Sequence, residues 1–188
     1  MNRLNFEKSL FPGQQPDEKI YMVIRQHWMT LVYKMLAWFV FVVIFVSLDF
    51  ISTSYFPILL QSPFVEIVNL VKNVYLMFLF LGLLTIWVIY YLNVHIITNE
   101  RVVDITQPGI LHHTISELHL SRIQDATAEI KGFFHTFLDY GDVYLQTAGE
   151  TNRFVFSEIP NPTKVEKLIL DLYEQLPPEK KNIGLEKK

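Results

Sequence analysis

There is no cysteine in this chain of 188 residues, so no disulfide framework, thiolate metal site or thiol nucleophile is open to it, and a reducing cytoplasm suits it. Gly-rich phosphate loops, nucleophile elbows and paired-histidine helix motifs are absent too, which removes the commonest signatures of nucleotide, acyl-transfer and zinc chemistry. The stretch from Met1 to Lys19 lacks the basic, apolar, small-residue order of a cleavable leader, having mixed charges and Pro12, Gly13 and Pro16. The first apolar run is therefore expected to stay in the mature protein. Neither sign of charge dominates, 16 basic residues against 19 acidic ones giving a formal net charge of −3.

Apolar material is in excess. A 51% hydrophobic share is more than one small domain can bury, so part of it is expected to face lipid. Met35 to Ile51 is interrupted only by Ser47 and Asp49, and Val74 to Leu92 holds no charge. As helices these runs cover roughly 25 to 29 Å, close to the bilayer hydrocarbon core of about 30 Å. Neither has the polar face of a soluble surface helix. They predict a transmembrane hairpin over 35–92, with spans at 35–51 and 74–92 and an external loop at 52–73.

Lys19, Arg25 and Lys34 precede the first span, whereas the loop holds Lys72 alone. The excess of basic residues marks the inner side, so both termini are expected on the cytoplasmic side. Tyr33, Lys34 and Trp38 at the inner end of the first span, and Trp87, Tyr90 and Tyr91 at that of the second, fit membrane-interface anchors. Ser62, Pro63 and Glu66 suggest a cap, a first-turn proline and an acidic first turn, so the second helix is expected to begin near Pro63. Asp49, a turn from Ser52 and Thr53, reads as the point where the first span meets headgroups. In the cytoplasmic segment 1–34, Ile20, Val23, Ile24, Trp28, Leu31 and Val32 recur at steps of three and four, predicting an amphipathic helix near the inner surface.

After Leu92 the pattern alternates and turn residues arrive every six to ten positions, the mark of short antiparallel strands. Strands are expected at Val94 to Ile97, around Val103 and Ile105, at Ile110 to Ile115 after a Pro108-Gly109 turn, and at Asp125 to Ile130 after a phase break at Ser121 to Ile123. Two more, Asp142 to Thr147 and Asn152 to Ser157, join through Ala148-Gly149-Glu150. Phe133, Phe134, Phe137 and Leu138 are expected to plug the end of the sheet. A final helix is capped by Asn161, starts at Pro162 and presents Val165, Leu168, Ile169, Leu172 and Leu176 as one stripe. Pro177-Pro178 ends it, and 177–188 reads as a disordered charged tail. The fold class is α+β: the transmembrane hairpin, then a small antiparallel β-barrel or sheet over 93–176 capped by a C-terminal helix.

The order and spacing of several pieces resemble the bacterial membrane proteins with a pleckstrin-homology-like domain, the YdbS-like group. These are Asp17-Glu18 to His27-Trp28, Ile97-Thr98-Asn99-Glu100-Arg101, Leu120-Ser121-Arg122-Ile123-Gln124-Asp125, Tyr140-Gly141-Asp142 to Thr147-Ala148-Gly149, and Ile159-Pro160-Asn161-Pro162. The resemblance covers nearly the whole chain and implies the pleckstrin-homology-like (PH-like) fold. It does not carry over an inositol-phosphate site, because the first hairpin turn, Asn99-Glu100-Arg101, sets one cation beside one anion. From Asn93 to Leu176 six basic residues stand against twelve acidic ones, which repels anionic lipid and nucleic acid alike.

His112-His113 cannot share one metal ion on a strand, where neighbours point to opposite faces, and His95, His119 and His135 add no ligand spacing. Asp125, Glu129, Asp139 and Asp142 read as solvated carboxylates. No catalytic constellation, metal or cofactor is expected. The predicted role is non-enzymatic: a membrane-anchored interaction or scaffold module binding a protein partner or a second copy, with no nucleic acid and no specific phosphoinositide. The alternative is an accessory subunit of a membrane transport or export complex, its spans packing on other helices through Gly82 and Thr85.

Overall fold

Both apolar runs fold as helices that extend beyond the predicted spans: α1 is Trp28–Tyr55 and α2 is Phe64–Leu92. Their 28 and 29 residues measure about 42 and 44 Å at 1.5 Å per residue. His27 caps α1, its Nδ1 accepting from the Met29 N–H at 3.3 Å, and its carbonyl takes the Thr30 hydroxyl at 2.7 Å. The link between the helices is residues 56–63, inside the stretch read as the external loop, and includes a 3-10 turn at Pro57–Leu60. Pro63, not Ser62, takes the N-cap position of α2, and no side chain caps it. Apart from Thr30, neither helix has a buried residue, and Phe39, Phe50, Leu70 and Phe78 stand exposed along them. By length and composition both are able to cross a bilayer.

The computed structural model describes residues 13–15, 17–109, 111–147 and 154–178, apart from the side chains of 59 and 60. The Ala148-Gly149-Glu150 turn and nearly all of the predicted tail lie outside the described residues. The strands are β1 Ile20–Arg25, β2 Val94–Thr98, β3 Arg101–Gly109, β4 His112–His119, β5 Ile123–Glu129, β6 Tyr140–Thr147 and β7 Phe154–Pro160. Two short or amphipathic helices complete the order: α3 Phe133–Leu138 between β5 and β6, and α4 Pro162–Glu174 after β7.

Three expectations are corrected. Residues 20–25 are a strand, not part of an amphipathic helix, because β1 pairs beside β2 and this non-local ladder overrides a periodicity that a few apolar residues satisfy. The barrel is not closed: the strands form one sheet ordered β1-β2-β3-β4 and another ordered β5-β6-β7. The 3-10 turn Leu120–Arg122, at the predicted phase break, takes the chain out of the ladder between β4 and β5. Asn161 occupies the cap position of α4 in left-handed backbone and makes no side-chain cap. In addition, β3 runs through Pro108 to Gly109, so its turn falls later than expected.

In the second sheet the antiparallel register pairs Ala126 with Leu145, Ala128 with Val143 and Glu129 with Asp142, and then Val143 with Phe156. α4 lays its stripe on β5 and β6, burying Val165, Ile169 and Leu172 against Ile123, Val143, Leu145 and Phe156. Burying such side chains contributes about 1.5–3 kcal/mol each, which is what holds an otherwise polar helix in place. The chain divides into two compact units. Of the described residues, the β-rich unit takes in those up to Ile24, Val94–Asp104 and those from Ile115 onward, and the helical unit takes in Arg25–Asn93 and those between Ile105 and Thr114.

Candidate functional site

Within the helical unit the two long helices are joined by specific contacts. Trp38 on α1 donates from Nε1 to the Leu79 carbonyl of α2 at 2.9 Å, and its ring lies where a Cβ on Gly82 would meet it at 3.4 Å. Gly82 therefore makes room for Trp38 of the same hairpin. Tyr75 donates to the Phe41 carbonyl at 3.1 Å, and Lys72 pairs with Asp49 across the helices. At the other end, Tyr90 donates to the Gln26 carbonyl at 3.2 Å, and Asn93 accepts the Gln107 N–H at 2.7 Å. Of the six predicted anchors, Tyr33, Trp87 and Tyr91 are exposed, and Tyr91 lies beneath the Arg25 guanidinium at 5.5 Å. Lys34 lines a groove of about 540 Å³ between the helices, while Trp38 and Tyr90 turn into the hairpin.

The β-rich unit buries an ionic cluster that links residues far apart in sequence. Arg101, at the start of β3, donates from Nε and Nη2 to the two Glu18 oxygens at 3.0 and 2.8 Å, and reaches Glu117 and the Gly13 carbonyl. Thr98 donates to Glu18 at 2.8 Å, and Asn99 Oδ1 takes the Lys19 N–H at 2.8 Å. Burial pushes the Glu18 carboxyl up, but the Arg101, Gln15 and Thr98 hydrogen bonds and the Arg101 charge outweigh it and hold the group below the usual carboxylate range. The hydrogen bond to Glu18 raises Arg101 against the opposing effect of burial. The single cation beside the Asn99-Glu100 turn is thus tied to two carboxylates. Sequence reading set Glu18 and Arg101 in separate motifs, and only the β1–β2 pairing brings them together.

The histidines have separate surroundings. His95 is buried against the Phe156 ring at 4.7 Å, with Nδ1 2.8 Å from Asp104 Oδ1. His112 and His113 are exposed at the start of β4, as is His119 at its end. Among the described residues no three His, Asp or Glu side chains gather as metal ligands. Of the predicted carboxylates, Asp125 is exposed and Glu129 engages Lys131. Asp142 accepts the Glu158 N–H at 2.8 Å and the Tyr144 hydroxyl at 3.3 Å. Gly141 lies where any Cβ would fall 2.3 Å from the Glu129 carbonyl, which accounts for glycine there.

α3 does not plug the sheet. Phe133, Phe134 and Phe137 are 79%, 52% and 78% exposed, while His135 between them turns inward onto the Tyr140 ring at 4.2 Å. The run of aromatics announced apolar surface, but not which way it faced.

Strands in two antiparallel sheets, followed by one amphipathic C-terminal helix and interrupted after the first strand by two long apolar helices, define a PH-like protein with an attached helical hairpin. The sequence profile of the bacterial PH domain family matches residues 28–173, and the chain belongs to that family. Its fold is that of an interaction module. A crystal structure of a DUF1696-family protein with a pleckstrin-homology domain from Shewanella loihica PV-4 is similar over 43% of this chain and 70% of its own, at 17% identity and a TM-score of 0.35. The curated proteins contain no match to the chain.

Proposed function

We propose that this protein is a membrane-anchored interaction module, with α1 and α2 crossing the bacterial inner membrane, both termini on the cytoplasmic side, and the β-rich unit binding a protein partner without catalysis. The observation that carries the anchoring is the outward apolar face of both helices: 28 and 29 residues long, with only Thr30 buried, they need a medium other than water. Confinement to a surface raises the effective concentration of a weak binder, so modest affinity suffices. The tying of Arg101 to Glu18 and Glu117 supports the expectation of no phosphoinositide site at the first hairpin turn. The accessory-subunit alternative loses its main support, since Trp38 fills the space beside Gly82.

The test combines protease protection with isolation. Protease added to sealed, right-side-out cells should leave the β-rich unit intact, and affinity isolation of the full-length chain from native membranes should recover a reproducible protein. Cleavage from outside, or a chain that stays dissolved without detergent, would overturn the anchoring. Failure to recover any partner would overturn the binding role.

A further inference from the structure

Three exposed phenylalanines on a helix that is itself firmly held are unexplained by the fold. Burying such a side chain contributes about 1.5–3 kcal/mol, yet Phe133, Phe134 and Phe137 stand in solvent. The helix beneath them is fixed from several directions. His135 stacks on buried Tyr140 and meets Glu158 at 3.4 Å, and the Thr136 hydroxyl and N–H both donate to the Gly132 carbonyl at 3.0 Å. Asp139 ends the helix, and its carbonyl accepts the Asn161 N–H at 2.8 Å.

Around this contact three non-glycine residues keep left-handed backbone: Asp139 at φ 50°, Glu158 at φ 55° and Asn161 at φ 50°. Asp and Asn adopt that conformation readily, so the cost of about 1–2 kcal/mol falls on Glu158, whose N–H is held by Asp142. The rings are ordered among themselves: Phe133 and Phe137 lie 4° from parallel at 6.4 Å, and Phe134 meets Phe133 edge-on at 5.6 Å. Clustered aromatics are the anchors on which protein interfaces concentrate their affinity.

Charge selects the occupant. The same end of the second sheet carries Glu129, Asp139, Asp142 and Glu158 against Lys131, which Glu129 already engages, and His135. Glu129 and Asp142 face each other across the β5–β6 ladder. The Asp142 charge, with burial and Glu129 behind it, pushes the Tyr144 phenol up, as expected in a negative field. An anionic bilayer is repelled by such a rim, whereas a basic protein surface is attracted. Resting on the reading of an interaction module, we propose that α3 is its docking surface and that the occupant is a protein presenting an apolar pocket rimmed by lysine and arginine.

The experiment places the photo-crosslinker p-benzoylphenylalanine at position 134 of the full-length chain in its native membranes, with a probe at Leu111, which is 99% exposed, as the background. The expected result is an adduct with another protein whose crosslinked peptide is apolar and flanked by basic residues. Its yield should fall roughly tenfold in the Phe133→Ala/Phe137→Ala background while the melting temperature stays unchanged. Adducts only with lipid or with a second copy, a peptide without basic flanks, an undiminished yield in the double variant, or an equal yield from position 111 would each overturn the proposal. If position 134 captures nothing while another position of the β-rich unit captures a protein, the docking surface is wrong and the module reading stands. If no position of that unit captures a protein, both fall.

Discussion

At Arg101 a buried guanidinium is held between Glu18 and Glu117, and removing it leaves the covered Glu18 carboxylate with only the Thr98 and Gln15 hydrogen bonds. Arg101→Ala should destabilise the detergent-solubilised protein by about 3–5 kcal/mol, read by thermal unfolding, because an uncompensated buried charge costs more than the pair contributes. The pH dependence follows from the lowered Glu18 value. Its stabilising share is fully present above the unfolded value of about 4.3 and is lost as pH falls through the lower folded value. The melting temperature is therefore expected to hold from neutral to about pH 5 and to drop in stronger acid, and Glu18→Gln should flatten that drop. An equal acid response in Glu18→Gln would assign the effect to other carboxylates.

Among the elements, the α1–α2 pair offers a sharp test. Leucine at position 82 would push against the Trp38 ring, breaking the indole bond to the Leu79 carbonyl. Gly82→Leu should cost about 1–3 kcal/mol and shift tryptophan fluorescence, without changing the size of any isolated complex. Long uniform runs made these two helices legible in sequence, and the Val165 to Leu172 stripe did the same for α4. Local alternation likewise located β2 to β7 to within a few residues. β1 was not legible, because Ile20, Val23 and Ile24 fit a helical wheel as well as a strand and the deciding partner lies some 80 residues on. The Glu18–Arg101 cluster was hidden for the same reason, and the outward turn of Phe133 and Phe137 because the inward anchor, His135, looked like an ordinary polar residue.

For the whole molecule, the consequential feature is that one sheet takes strands from before α1 and after α2. A fragment of residues 93–188 contains six of the strands but lacks β1, Glu18 and the backbone link from Asn99 to Lys19. It should show weak hydrogen-exchange protection in β2 and a tendency to associate along that bare edge, whereas the full-length chain protects β2 strongly. Strong protection of β2 in the fragment would mean that the N-terminal strand is dispensable.

This arrangement also sets a schedule for synthesis. Lys19 leaves the ribosome 80 residues ahead of Asn99, a wait of about 4–16 s at 5–20 residues per second, and both long helices are translated in between. The first strand must stay unpaired through that interval. Completion of the sheet thus comes only after the helices are made, so a properly assembled β-rich unit certifies that the hairpin preceding it was completed first.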